Sequence, residues 1–361
     1  MKTRAAVLHK HGESMQLENL ELAVPTADEV IVQISHVGIC HTDIGAQKSQ
    51  PLPAVLGHEG TGVVIECGDA VDDLAIGDRV VLTYGSCGNC RNCQAELPSH
   101  CEQMPALNFS GYSPDGQTTL QDSKGNAVHG SFFYQSSFAS HAIANQRNAI
   151  KVPDDLPPEL LAPLGCGVQT GVGAVVNTLS VPAGSSMVCI GVGSVGLSAV
   201  MAAKMVGCTT IIAVDREPSR LEMAEALGAT HVLPGNDETV AAVHQITSGG
   251  ADYCFESAGN VATFHAAIES VRMGGHVGLA AVPEWAKGFH FYPGPLAMGR
   301  TITGVLEGSS VAKTFIPKLC DWLRDGSLPL HNIVQTYAFD DINSAIRDLD
   351  AGRVIKPVLM L

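Results

Sequence analysis

The feature that most constrains this chain is the hexapeptide Gly191-Val192-Gly193-Ser194-Val195-Gly196, together with what flanks it. Met187-Val188-Cys189-Ile190 precedes it as a short apolar run. Leu197 to Val206 follows with helical spacing, and a second apolar run, Thr210 to Val214, ends at Asp215. G-x-G-x-x-G alone is a weak pattern. Set between a strand and a helix, with an acidic residue closing the next strand, it is the dinucleotide fingerprint. The first glycine makes the turn, the second lets backbone approach a pyrophosphate, and the third permits close helix–strand packing. The helix N-terminus then faces the phosphates with its partial positive charge. Gly191, Gly193, Val195 and Gly196 are the candidate cofactor-binding residues. Asp215 sits where a carboxylate accepts from both adenosine ribose hydroxyls and repels a 2′-phosphate. NAD is therefore favoured over NADP, although Arg216 next to it softens that choice.

Further short apolar runs, Tyr253–Glu256 and His276–Ala280, alternate with helical stretches, one of them at residues 219–227. Alternation of this kind predicts a parallel sheet covered on both faces. The chain before residue 186 reads differently. Glu29–Ile34, Gly62–Ile65 and Arg79–Leu82 are β-rich, and a mainly β region extends to about residue 165. Residues 84–130 look loop-like, and a loop that long usually carries a function or an internal staple. Past about residue 306 the sequence is mixed, with a helix around Thr314–Arg324 and an extended end at Pro357–Met360. A length of 361 residues calls for roughly two domains. The alternating part and the β-rich part together give an α/β class overall. A formal net charge of −15 argues against a nucleic-acid partner, because phosphate binding needs a basic footprint. It does not exclude a nucleotide held by local groups. No uninterrupted apolar run of membrane-spanning length and no signal-type leader are seen, so no membrane partner and a cytoplasmic location are expected.

Eleven cysteines then point toward metal or redox chemistry. Cys87, Cys90, Cys93 and Cys101 place four thiols within fifteen residues. Two-residue gaps let a chain wrap one zinc ion tetrahedrally. Four thiolates leave no open position, so this zinc is expected to hold a lobe together and to take no part in catalysis. Disulfides are disfavoured in a reducing compartment.

Three other pieces, Gly38-Ile39-Cys40-His41-Thr42-Asp43, Gly57-His58-Glu59-Gly60-Thr61-Gly62 and Gly165-Cys166-Gly167, are weak evidence when taken separately. The second piece continues to Gly68 and Val71, and with Gly77-Asp78-Arg79-Val80, the four-cysteine lobe and the glycine loop it comes in a familiar order. The whole chain resembles the zinc-dependent medium-chain alcohol dehydrogenases. The resemblance implies a mainly β GroES-like catalytic domain, residues 1–167 and 307–361, beside a Rossmann-type coenzyme domain, residues 168–306. It implies Cys40, His58 and Cys166 as ligands of a catalytic zinc, a set of three that leaves one coordination position open. It also implies Asp43 as acceptor for the imidazole of His58, Glu59 near the metal, and Thr42 as the hydroxyl that takes the alcohol proton toward the nicotinamide ribose. Thr170 and Arg220 are implied at the cofactor, the latter near the ribose. Lys356 is implied near the pyrophosphate, and His41 where an arginine commonly binds that group. The cofactors implied are NAD and two zinc ions per subunit, the substrate a small alcohol or aldehyde, and the assembly a homodimer or homotetramer.

Two positions depart from the liver-type pattern. The histidine that ends its proton relay is replaced by Gly45, so the relay either stops at the ribose and releases to water or uses His41 instead, and His41 should grip phosphate less strongly than a guanidinium does. Phe132-Phe133-Tyr134-Gln135-Ser136-Ser137-Phe138 resembles the segment bordering the substrate cleft in bacterial aryl-alcohol dehydrogenases. Phe132 and Phe133 fall at pocket-lining positions, although ordinary core packing explains two phenylalanines equally well. Benzyl-type alcohols are the first expectation, with geraniol-type allylic alcohols next. Thiol-adduct oxidation, or a zinc- and NAD-binding sensor with no activity, are more distant.

Overall fold

The computed structural model describes residues 1–281, 288 and 290–361. It divides into two compact units. The first is Met1–Cys166 with Val311–Asp325 and Ile333–Leu361, and the second is Gly167–Ser310 with Gly326–Asn332. The return to the first unit thus lies at Val311, beyond the expected residue 307, and residues 326–332 go back to the second unit.

The first unit is built around the strand Glu29–Gly38. Its apolar residues Val30, Ile31, Val32, Ile34 and Val37 are all buried, as a central strand requires. Strand Glu59–Cys67 runs antiparallel along one side. The opposite side is shared by His141–Asn145, which pairs with residues 29–33, and by Lys356–Met360, which pairs with residues 36–38. Arg79–Leu82, Ala149–Lys151 and Val334–Ala338 complete this sheet. A second, five-stranded sheet contains Lys2–Leu8 and Gln16–Leu22, two strands that the sequence pattern did not reveal. The expected loop at 84–130 contains a helix, Met104–Phe109, and a short antiparallel pair, Leu120–Gln121 with Ala127–Val128. The helix is tied down by buried Asn108, whose Nδ2 donates to the carbonyls of Gly85 and Met104, each at 2.9 Å, while Oδ1 accepts from Gly85 N at 2.8 Å.

The second unit holds one all-parallel six-stranded sheet. Its spatial order is His231–Pro234, Thr210–Asp215, Ser186–Ile190, Ala251–Glu256, Val271–Leu279, Thr301–Gly304. The chain moves outward from Ser186–Ile190 in one direction and then crosses back to lie on its other side. The strand order therefore reverses between Ser186–Ile190 and Ala251–Glu256, where open parallel sheets bind their ligands. Helix Ser194–Met205 is buried on nearly all sides and reads as uniformly apolar. It packs against helix Gly167–Gly173, an element the sequence reading missed; a Cβ on Gly171 would lie 2.1 Å from the carbonyl of Val195. No single helix among the described residues is long and apolar enough to cross a membrane.

Gly62 lies where strands 29–38 and 59–67 come closest, and a Cβ there would meet the carbonyl oxygen of Gln33 at 2.0 Å. Backbone cannot yield as a side-chain tip can. Gly62→Ala is expected to lower unfolding free energy by about 1–3 kcal/mol, read as a fall in thermal midpoint.

Candidate metal centres and nucleotide site

Strand register brings the first ligands together. Gly38 pairs with Glu59, so Cys40 and His58 leave the same ends of two neighbouring strands. Thr83 Oγ1 donates to the carbonyl of Gly165 at 2.7 Å, which draws Cys166 to the end of a third strand, Arg79–Leu82. Candidate ligand atoms of Cys40, His58, Glu59 and Cys166 all lie within 4.8 Å of one another, and His58, Glu59 and Cys166 are buried.

Asp43 organises this cluster. Its carboxylate is fully buried and accepts from Cys40 N at 2.9 Å, from Gly57 N at 3.1 Å and from His58 Nδ1 at 2.9 Å. With Nδ1 committed, His58 Nε2 faces inward as a buried atom lacking a hydrogen-bond partner. An imidazole fixed by a carboxylate, with its other nitrogen aimed at two thiols, is what a metal ligand looks like. The bond from Cys166 holds the Cys40 thiol well below its ordinary range, helped by His58 and Lys356. The donor set therefore fits a zinc ion with one remaining coordination position. Thr42 is half-buried, its Oγ1 3.7 Å from Cys40 Sγ.

The second cluster, Cys87, Cys90, Cys93 and Cys101, also has its sulfurs within 4.8 Å of one another. Backbone amides point at them: Cys87 N at 3.3 Å and Gln103 N at 3.4 Å donate to Cys101 Sγ, and Glu102 N at 3.5 Å donates to Cys90 Sγ. Backbone amides lower the Cys90 thiol to about 6, while burial and neighbouring thiols push Cys93 up to about 12. Four thiolates at this separation repel unless a cation lies among them, so this set also fits zinc.

At the glycine loop each position has its own constraint. Gly191 has φ +81°, and a Cβ there would meet Ala258 N at 2.8 Å. A Cβ on Gly196 would meet the carbonyl of Gly191 at 1.9 Å, whereas one on Gly193 would meet nothing within 4 Å. The open face at Gly193 is the approach a phosphate needs. Asp215 accepts from Val192 N at 2.8 Å and Glu217 N at 3.0 Å, and Arg220 stands 3.9 Å away. The carboxylate keeps acceptor capacity after both bonds. Thr170 lies on the buried helix Gly167–Gly173.

Known proteins were compared with this geometry. Residues 26–154 match the Alcohol dehydrogenase GroES-like domain, and residues 194–324 match the Zinc-binding dehydrogenase domain. Over its full length the chain is 40% identical to a geraniol dehydrogenase of Castellaniella defragrans, covering 98% of that protein. The chain belongs to the zinc-dependent medium-chain alcohol dehydrogenases. Its fold matches a benzyl alcohol dehydrogenase from Acinetobacter calcoaceticus at TM-score 0.95 and 41% identity, covering 100% of this chain and 99% of that one. An alcohol dehydrogenase zinc-binding domain protein from Burkholderia ambifaria matches at TM-score 0.97 and 46% identity, with 100% and 99% covered. This dehydrogenase is thus an oxidoreductase of small-molecule alcohols, with a zinc-binding catalytic unit and a nicotinamide-dinucleotide fold.

Other site residues are distributed less simply. Lys356, expected near the pyrophosphate, is 1% exposed, and its Nζ donates to both oxygens of Glu59 at 2.6 and 2.8 Å and to Ile39 O at 3.2 Å. This contact has a topological cause. Lys356 heads the strand paired with residues 36–38, so its side chain falls inside the metal unit and compensates a buried carboxylate. Gly38 makes room for that carboxylate, since a Cβ would meet Glu59 Oε2 at 2.0 Å. His41 is exposed, and Gly45 is exposed with open space around it. Phe132 and Phe133 are buried against His58. The Phe133 ring lies 4.4 Å from the imidazole centroid, tilted by 30°, and Phe132 stands edge-on at 5.5 Å. Phe109, which sequence reasoning did not single out, stands edge-on to Phe133 at 5.2 Å and is 41% exposed. Gln135 fixes the aromatic segment, donating to the carbonyls of His58 at 3.0 Å and Thr83 at 3.1 Å.

Two metal measurements follow. Asp43→Asn is expected to weaken zinc binding at the Cys40 cluster by about 10–100-fold, read by competition with a chromogenic chelator. Cys101→Ser is expected to bring the zinc content from two ions per chain, one for each cluster, to one.

Proposed function

We propose that this dehydrogenase oxidises primary aromatic alcohols to aldehydes, reversibly, with NAD as hydride acceptor. The observation that carries the reading is the aromatic wall on His58: Phe133 over the imidazole face, Phe132 at its edge and Phe109 extending the apolar surface outward. Such a wall favours flat, apolar substrates through burial and edge-to-face contact. Geraniol-type allylic alcohols are the second reading, supported by the 40% identity to a geraniol dehydrogenase, against 41% to the benzyl alcohol enzyme.

Zinc held by Cys40, His58 and Cys166 supplies Lewis-acid polarisation of the alcohol oxygen. The chain's own residues do the rest. Asp43 fixes the tautomer of His58, and the Phe109–Phe132–Phe133 cluster excludes water from one side of that ring. Thr42 takes the alcohol proton. Because residue 45 is glycine, that proton passes to water without a second side chain in the relay. Asp215 favours NAD over NADP by charge repulsion of a 2′-phosphate. His41 and Thr170 are assigned to the cofactor. Lys356 holds Glu59, which is assigned to assist exchange of ligands at the metal.

We also propose self-association through the nucleotide-binding unit. Its sheet ends at strand Thr301–Gly304, which has no outer partner among the described strands, and Tyr292 and Met298 nearby in sequence are 79% and 56% exposed. A second copy would cover that edge.

A substrate panel tests the reading. Benzyl alcohol is expected to exceed ethanol in kcat/KM by at least about tenfold, and Phe133→Ala to cut that ratio by roughly fivefold to tenfold. Equal efficiency on the two alcohols would sink the aromatic assignment. A strong chelator is expected to abolish turnover and added zinc to restore it; turnover that persists without zinc refutes the zinc step.

A further inference from the structure

The nucleotide-binding unit contains a buried carboxyl group that the reading above leaves unused. Glu256 is the last residue of strand Ala251–Glu256 and pairs in register with Ile190, at the point where strand order reverses. It is 1% exposed. Its Oε1 accepts three bonds: from Ala258 N at 2.9 Å, Gly259 N at 2.8 Å and Thr263 Oγ1 at 2.8 Å. Its Oε2 is buried and has no hydrogen-bond partner among the described residues. A carboxylate acting as half of an ion pair would face a cation, and no cation stands among these partners. Two of its bonds are spent instead on the turn that follows the strand, and the third on Thr263 in the helix Val261–Ser270 after that turn.

That turn braces the fingerprint glycines. Ser257 N donates to Ile190 O at 2.9 Å, and Ser257 Oγ donates to Gly191 O at 2.8 Å. Ala258 lies against Gly191, 2.8 Å from where a Cβ would stand, and Ser257 Oγ lies 3.2 Å from the corresponding point on Gly196. Residues 257 and 258 therefore touch both the first and the last glycine of the loop. We infer that Glu256 is a positioning residue for the dinucleotide: it fixes the Ser257-Ala258-Gly259 turn, and the turn fixes the glycine loop that receives the pyrophosphate. The inference rests on reading that loop as the cofactor site. The carboxyl works by reach and acceptor geometry, so its charge is dispensable.

Reach and charge separate in two substitutions. Glu256→Gln can place an amide oxygen where Oε1 stands and keep all three bonds. Glu256→Asp keeps the charge but is one methylene too short. NADH affinity of the zinc-loaded enzyme, measured by fluorescence titration, is expected to stay within about twofold of wild type in Glu256→Gln and to fall about tenfold in Glu256→Asp. Ser257→Ala, which removes the hydroxyl bond to the loop, is expected to weaken NADH about threefold to fivefold. In all three, kcat at saturating cofactor is expected to change less than about twofold. Wild-type affinity in Glu256→Asp, or an equal loss in the Gln and Asp variants, overturns the inference. Should Glu256→Asp fail to fold, wild-type affinity in Ser257→Ala overturns it alone. A wild-type enzyme that binds neither NADH nor NADPH would instead refute the cofactor reading beneath it.

Discussion

The carboxylate of Asp43 is the interaction on which the metal centre depends. One buried group accepts from the backbone at Cys40, the backbone at Gly57 and the ring of His58, so two ligand-bearing segments are fixed by a single side chain. Burying a carboxylate is costly unless it is fully bonded. Here three donors offset that cost, and the same bonds decide which imidazole nitrogen is left for a metal. The orientation of His58 toward the thiols thus rests on one carboxylate.

Around that centre the protein divides its surroundings by chemistry. One flank is ionic, with Glu59 closed on Lys356, and both side chains are almost fully buried. Another flank is aromatic, with Phe133 on the imidazole and Phe109 beyond it. A buried ion pair contributes little net stability, but removing one partner leaves an uncompensated charge. Glu59 is thereby held close to the thiols. The aromatic flank lowers the local polarity, which strengthens every electrostatic contact inside it.

Much of this was legible in the sequence, for physical reasons. Four cysteines with two-residue gaps announce their own cluster, and a glycine loop between a strand and a helix announces its turn. Cys40, His58 and Cys166 were joined only by resemblance, because ligands more than a hundred residues apart leave no local pattern. Strands Lys2–Leu8 and Gln16–Leu22 escaped notice because polar residues interrupt their alternation, and helix Gly167–Gly173 because a fully buried helix shows no amphipathic period. The Lys356–Glu59 contact left no signal in the sequence because it is set by pairing with a strand over three hundred residues away. Phe109 and Glu256 carried no motif at all. Their interest comes from a ring edge and from an unshared oxygen, which only coordinates reveal.

The strand Lys356–Met360 lies against Glu29–Gly38, and the whole nucleotide-binding unit is encoded between them. During translation, the sheet that carries Cys40 and His58 therefore waits for its last strand while some three hundred residues are still being added. In that interval the two early ligands sit beside an open β edge, without Lys356 to balance Glu59. The order in which the ribosome delivers these segments closes the charge balance beside the metal cluster only after the nucleotide-binding unit has been made.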